Sequence, residues 1–340
     1  MLIPCVLSPT IFNFSNFSTD IEQDLRIRNI ILLLKLIKSR GVILFDDKEF
    51  LSSEIKQNID DIKNDNLKKK LKSILVNLFR NFKINQVSID PYSSDILQYC
   101  QYFASLTLTN NAIGIFSNAD CEENCETCLD ENFTLKYFKT LNWCETEECF
   151  DFFNKKSIVS STEIEVSYLK DNVFKNFIKF SKELLIYDKQ LTPDNNNQNR
   201  GTEQFKIPEN FKYNLNYWLK YFYEINPSLD IKIIISIKIN QINIKQDIYD
   251  SFEQLRKEIL LECPDIQLSF KYINERTMLN KNINFLHQRY FSTEKMILSC
   301  DRGLDLLKKH ENIVRDFNIS IVEPPDEIEL RNIFNEFEQT

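Results

Sequence analysis

The sequence predicts an α/β protein of two domains, and three observations carry that prediction. Short apolar runs alternate with stretches of helical period along the chain. At 340 residues, 43% hydrophobic and 12% aromatic, there is material for more than one core. Strand and helix signals also recur on both sides of a cysteine-bearing segment at 121–149. The boundary is expected near residue 160, giving an N-terminal α/β domain over 1–160 and a second over 161–340.

In the first domain "LIPCVL" is the first strand. A long helix follows over "TDIEQDLRIRNIILLLKLIKSRG", with Thr19 or Asp20 as N-cap and Gly41 just past its end. "VILF" at 42–45 is a buried strand, 59–82 a charged amphipathic helix, and "NAIGIF" at 111–116 another strand. In the second domain the strand "ELLIYD" precedes a polar, Asn-rich loop at 190–208. A helix over 210–226 aligns Phe211, Leu215, Trp218, Leu219 and Phe222 on one face, as a helix lying on a sheet requires. "DIKIIISIKI" is β-branched almost throughout and predicts a central strand. A helix through Ile248, Phe252, Leu255 and Ile259 and the strand "IQLSFKYI" come next. Two strands, "INFLHQRYF" and "KMILSC", flank the turn "STE", and the strand "NISIVE" and a helix opened by Pro325 finish the chain.

Composition excludes several functions. The formal charge is -8, from 42 Lys and Arg against 50 Asp and Glu, so no global positive field exists to hold a phosphate backbone. Nucleic acid or anionic lipid could be met only through a local patch. Four glycines are too few for a glycine-rich nucleotide loop. No window supplies the roughly 18 apolar residues of a membrane span, and "MLIPCVLSPTIFNFS" lacks the basic start of a signal peptide. The expectation is a cytoplasmic protein whose nine cysteines are thiols or metal ligands. Heavy use of Ile, Asn, Lys and Phe makes any single Asn or Lys weak evidence.

His287 is one of only two histidines. Strand alternation sets His287, Arg289 and Phe291 on one face, opposite Leu286, Gln288 and Tyr290, so His287 and Arg289 are expected to project into one pocket. The order strand, helix, strand, helix, strand, then an edge strand bearing His287-Gln288-Arg289, then Asp301-Arg302-Gly303-Leu304-Asp305, resembles a known domain. It is similar to the phospholipase D-like C-terminal domain of microtubule-interacting-and-trafficking (MIT) proteins and their bacterial relatives, over residues 171–340. There a His-Asp-Arg strand precedes a Gly-Arg-Gly-Leu-Asp segment; Gln288 replaces the acidic residue here and Asp301 the first glycine.

The wider superfamily uses His-x-Lys-x4-Asp, with a histidine nucleophile, a lysine on the phosphoryl oxygens and an acidic residue that orients a histidine. The resemblance assigns those places to His287, Arg289 and Glu294. That chemistry needs a second histidine, and His310 carries no such motif. The resemblance therefore implies a degenerate domain: a non-enzymatic recognition or assembly module that binds an anionic ligand through Arg289 and Arg302, with Asp305 closing the pocket. It would work as a homodimer or within a multi-component complex, such as a bacterial phage-defence system. The alternative is a single-motif phosphodiesterase or nuclease whose dimer pairs two copies of His287, each oriented by Glu294.

The cysteines suggest zinc. Cys121, Cys125 and Cys128, with Cys144 or Cys149, could complete a tetrahedral thiolate site that pins an acidic loop with no core of its own; reduced surface thiols are the alternative. The same three cysteines match the spacing of radical S-adenosylmethionine enzymes, but the glycine-rich cofactor strand of those enzymes is missing. In the first domain Asp46, Asp47, Glu49 and Asp120 follow strands, where carboxylates can bind Mg2+ as in PIN-type nucleases. "PCVLSP" lacks the aspartate such a site needs, which favours a capped strand-to-helix turn instead.

Overall fold

A computed structural model describes residues 2–14, 19–88, 106–107, 109–116, 137–139, 155–192, 205–283, 286–308, 311 and 313–339. The chain forms two compact units, Leu2–Lys155 and Lys156–Thr340, and each is an α/β fold as predicted. The division falls ahead of residue 160 because Ser157–Ser160 pairs with a strand near the C-terminus and so belongs to the second unit. The cysteines expected to hold zinc (Cys121, Cys125, Cys128, Cys144 and Cys149), Asp120 and His310 lie outside the described residues.

The first unit runs β1 (Ile3–Leu7), α1 (Asp20–Arg40), β2 (Gly41–Asp46), α2 (Phe50–Asp60), α3 (Asp65–Arg80), β3 (Ile84–Val87), β4 (Ile113–Phe116) and β5 (Tyr137–Lys139). The strands pair in the order β3-β2-β1-β4-β5, all parallel. This is a doubly wound order that reverses between β1 and β4. α1 opens with a capping box in which Thr19 Oγ1 accepts from the Glu22 N–H (3.2 Å) and Glu22 Oε2 accepts from the Thr19 N–H (3.2 Å). The helix expected over 59–82 is α3, which begins only at Asp65, and the shorter α2 ahead of it was not anticipated. α2 stops at Asp60, and Asn64 restarts the chain by accepting from the Leu67 N–H at 3.2 Å.

The second unit begins with β6 (Ser157–Ser160) and β7 (Ile164–Glu165), then α4 (Val166–Leu169), a π-helical stretch (Lys170–Phe174) and α5 (Lys175–Lys179). There follow β8 (Glu183–Tyr187), α6 (Glu209–Ile225), β9 (Asp230–Ile237), α7 (Lys245–Glu262), β10 (Gln267–Asn274) and α8 (Glu275–Asn280). The chain ends in β11 (Arg289–Thr293), β12 (Ile297–Cys300), β13 (Ile313–Val314), β14 (Phe317–Ile321) and α9 (Asp326–Gln339). Seven strands form one sheet, β10-β9-β8-β11-β12-β14-β6. β10, β9 and β8 are parallel, and every pair from β8–β11 onward is antiparallel.

Both faces are covered near β8 and β11. Tyr187, Ile234, Tyr290 and Ile297 pack under Leu330, Phe334 and Phe337 of α9. On the other face Phe291 meets Phe174 (ring centroids 5.4 Å), which also touches Trp218 and Phe222 of α6. Two expectations are corrected here. The strand expected from Ile283 begins only at Arg289, leaving His287 and Gln288 in a bend, and β11 lies inside the sheet between β8 and β12 instead of at an edge.

Candidate functional site

Register builds the site. Tyr290 of β11 pairs with Tyr187 of β8, and one step further along the antiparallel ladder Arg289 comes opposite Asp188. Both residues share the α6 face with Phe291, because side chains alternate. Asp188 is fully buried, and its carboxylate accepts from the N–H of Gln190 (2.9 Å) and of Leu304 (3.0 Å). Arg289 Nε stands 3.3 Å from Asp188 Oδ1, and Arg289 Nη1 donates to the carbonyl of Asp301. Burial pushes the Asp188 carboxyl above its ordinary value, against the opposing pull of both N–H groups and of Arg289.

The Asp301–Leu307 segment is laid over this pair. Gly303 has φ 58, and a Cβ there would stand 2.3 Å from Asp188 Oδ2 and 2.5 Å from the Cδ of Arg289. Only glycine tolerates both the left-handed backbone and that approach. α6 fastens the far end: buried Asn214 donates to the Leu307 carbonyl (3.2 Å) and accepts from its N–H (2.8 Å), while Asn210 donates to Asp305.

Three arginines surround the turn. Arg302 donates from Nε to the Asp316 carbonyl and from Nη2 to its carboxylate, and Arg315 Nη1 lies 3.4 Å from Asp305 Oδ2. The Asp305 carboxyl is raised by burial and drawn down by Arg315, Arg302 and Arg289, so all three guanidinium groups act on it. Chemically this is a set of positioned, part-exposed guanidinium groups. Cys300 beside it offers no thiolate, since burial pushes its thiol up to about 12.

The expected pocket is not assembled as the sequence suggested. His287 is exposed in the bend and makes no hydrogen bond or ion pair with a described residue, while Arg289 turns inward to Asp188. Leu286, Gln288 and Tyr290 do share a side, lining an open groove of about 610 Å³ with Ser299 and Ser320. Glu294 does not orient His287. Its carboxylate accepts from the N–H groups of Lys182 (3.1 Å) and Glu183 (3.5 Å) and pairs with Lys295 at 3.3 Å, at the far end of β11. Arg302 and Asp305 flank Gly303 as expected, but pair with Asp316 and Arg315.

Sequence reasoning missed Asp188, Asn214 and Arg315. Asp188 left a signal as the charged end of the apolar run "ELLIYD", and Asn214 as a polar residue one turn before Trp218 on a buried helical face. Asp46 is a cap: its two carboxylate oxygens accept from the N–H groups of Phe50 (2.8 Å) and Leu51 (2.9 Å), the first of α2. Among the described residues no cluster of His, Cys, Asp or Glu is arranged to hold a metal ion, and no helix is long and apolar enough to cross a membrane. No protein-family profile matches the chain, and no curated protein or solved structure is significantly similar to it.

Proposed function

We propose that the second unit is a degenerate phospholipase D-like domain acting as a non-enzymatic recognition or assembly module, and that its anionic ligand is held by Arg302 and Arg315 around the Gly303 turn. The observation that supports this reading is the diversion of the groups hydrolysis would need: Glu294 is spent on the backbone of Lys182 and Glu183, and Arg289 on buried Asp188. A nucleophilic histidine without an orienting acid or a phosphoryl-binding cation has little to work with. Arg302, by contrast, is paired among the described residues with Asp316 alone, whose side chain is 61% exposed. Exposed pairs of that kind contribute about 0–1 kcal/mol, so a phosphate can displace the carboxylate and take the guanidinium fork bidentately.

Calorimetric titration with inorganic pyrophosphate tests the reading. Wild type is expected to bind, with affinity falling about tenfold in Arg302→Ala, the loss of one charge-assisted contact. Binding that is absent in wild type, or equal in the variant, removes the site. The second reading, a dimeric phosphodiesterase or nuclease, draws on the exposure of His287, which leaves it free to face a second copy. Hydrolysis of a model diester by a wild-type dimer, abolished in His287→Asn with dimer and fold intact, would establish it in place of the first.

A further inference from the structure

The first unit carries an apolar surface that its own sheet does not use. On α1, Ile21, Leu25 and Leu32 are 82%, 59% and 45% exposed; on α3, Val76 and Phe79 are 49% and 70% exposed. The two helices pack side by side, and Asn64 at the start of α3 donates to Asp24 near the start of α1 at 3.1 Å. Each leads directly into a strand of the same parallel sheet, α1 into β2 and α3 into β3, so they run in the same direction with neighbouring outer faces. Helical spacing interleaves cations with these apolar residues: Arg28 and Lys35 fall on the stripe of Ile21, Leu25 and Leu32, and Lys69 and Arg80 on that of Val76. The segment "LKKKLKSILVNLFRNFK" at 67–83 holds no acidic residue, in a chain of net charge -8. Lys69, Lys70 and Arg80 are exposed and make no ion pair with a described residue.

A second observation comes from the end of α3. The Phe82 N–H donates to the Phe79 carbonyl (3.0 Å) and the Lys83 N–H to the Leu78 carbonyl (2.9 Å), a Schellman closure. Its left-handed position, normally glycine, is occupied by Phe82 at φ 56, with half of its surface in solvent (50%). A bulky residue at positive φ is a backbone cost, and half of this one is left in solvent.

We propose that the outer face of α1 and α3 docks on an anionic lipid membrane, with Phe79 and Phe82 entering the headgroup–acyl boundary and Lys69 and Arg80 meeting lipid phosphates and carboxylates. Stable peripheral attachment needs two signals, apolar insertion and a polybasic patch, and both occur on this face. The cation type favours lipid over a folded protein partner, because protein interfaces are depleted in lysine whereas a fluid headgroup layer accommodates its flexible point charge. This surface lies in the other unit from the arginine site, and the proposal does not depend on that site.

Co-sedimentation of the full chain with phosphatidylcholine vesicles, with and without phosphatidylserine, tests it. Binding is expected only with phosphatidylserine, to weaken in high salt, and to fall about tenfold or more in Lys69→Glu/Arg80→Glu, since each cation near the surface contributes on the order of 1 kcal/mol. Phe82→Gly separates docking from folding: its melting temperature should rise while its vesicle binding drops. Failure to bind anionic vesicles, or equal binding to neutral ones, overturns the proposal. So does self-association that Phe79→Ser abolishes, which would assign the face to a second copy of the chain.

Discussion

Asp46 closes β2 in one unit and Asp188 directly follows β8 in the other, both are fully buried, and the carboxylate of each accepts two backbone N–H groups. Asp46 takes both from the helix that begins four residues later, so it organises only its own turn. Asp188 takes one from Gln190 and the other from Leu304, 116 positions away, and adds Arg289 across the ladder. The same side chain in the same local setting is thus a cap in one unit and a clamp between remote segments in the other. What a buried aspartate does depends on which donors the fold brings to its second oxygen.

The comparison can be broken most strongly at Asp188. Asp188→Ala strands Arg289 and leaves the Leu304 and Gln190 N–H groups without their acceptor, and should cost about 4 kcal/mol, the scale for removing one partner of a buried pair. Chemical denaturation of the wild type and variant measures it; a loss under about 1 kcal/mol would mean that Asp188 is no clamp. Gly303→Ala attacks the same junction from the turn. A left-handed alanine pressed against Asp188 and Arg289 should cost about 3 kcal/mol, read by the same denaturation.

Arg289→Met sharpens the electrostatic half of the contrast, with a loss near neutral pH of about 2 kcal/mol. A carboxyl raised on folding costs stability once the pH climbs through its folded pKa, and costs none below its unfolded value. Burial already raises Asp188, and removing Arg289 takes away one of the groups that draw it down. The deficit of the variant should therefore widen as pH rises through and above the ordinary carboxylate range and close in acid. Denaturation across that range that shows a pH-independent deficit would assign the loss to packing alone. Asp46→Ala should have the smallest effect, about 1–2 kcal/mol, because only the start of α2 is uncapped. Hydrogen exchange should localise it to the first turn of α2, where for Asp188→Ala protection is lost both after β8 and across the Gly303 turn.

These two aspartates also show how far the residues could be read in order. The cap at Asp46, the cap at Thr19, and the buried stripe of Leu215, Trp218, Leu219 and Phe222 involve partners within a few positions, and each was legible. α2 was not, and the start of α3 was read six residues early, since "DIKN" sits inside an otherwise continuous amphipathic pattern and the Asn64 cap marks the true start. Asn214 was hidden by composition: in a chain so rich in asparagine the residue type carries no information, and only its place opposite the Leu307 backbone does.

By itself the sequence determined the α/β class, most strands and helices, and a turn at Gly303 beside charged residues, because periodicity, capping and turn chemistry act over a few residues. Tertiary structure alone decided the rest. The ladder β8-β11-β12 sets Arg289 against Asp188, the insertion of β12, β14 and β6 moves β11 from the edge to the interior, and the position of Glu294 at the far end of β11 separates it from His287. Each of these outcomes depends on strand register and sheet order, which are chosen by burial of whole faces over more than a hundred residues of separation and leave no mark on any short stretch of the chain.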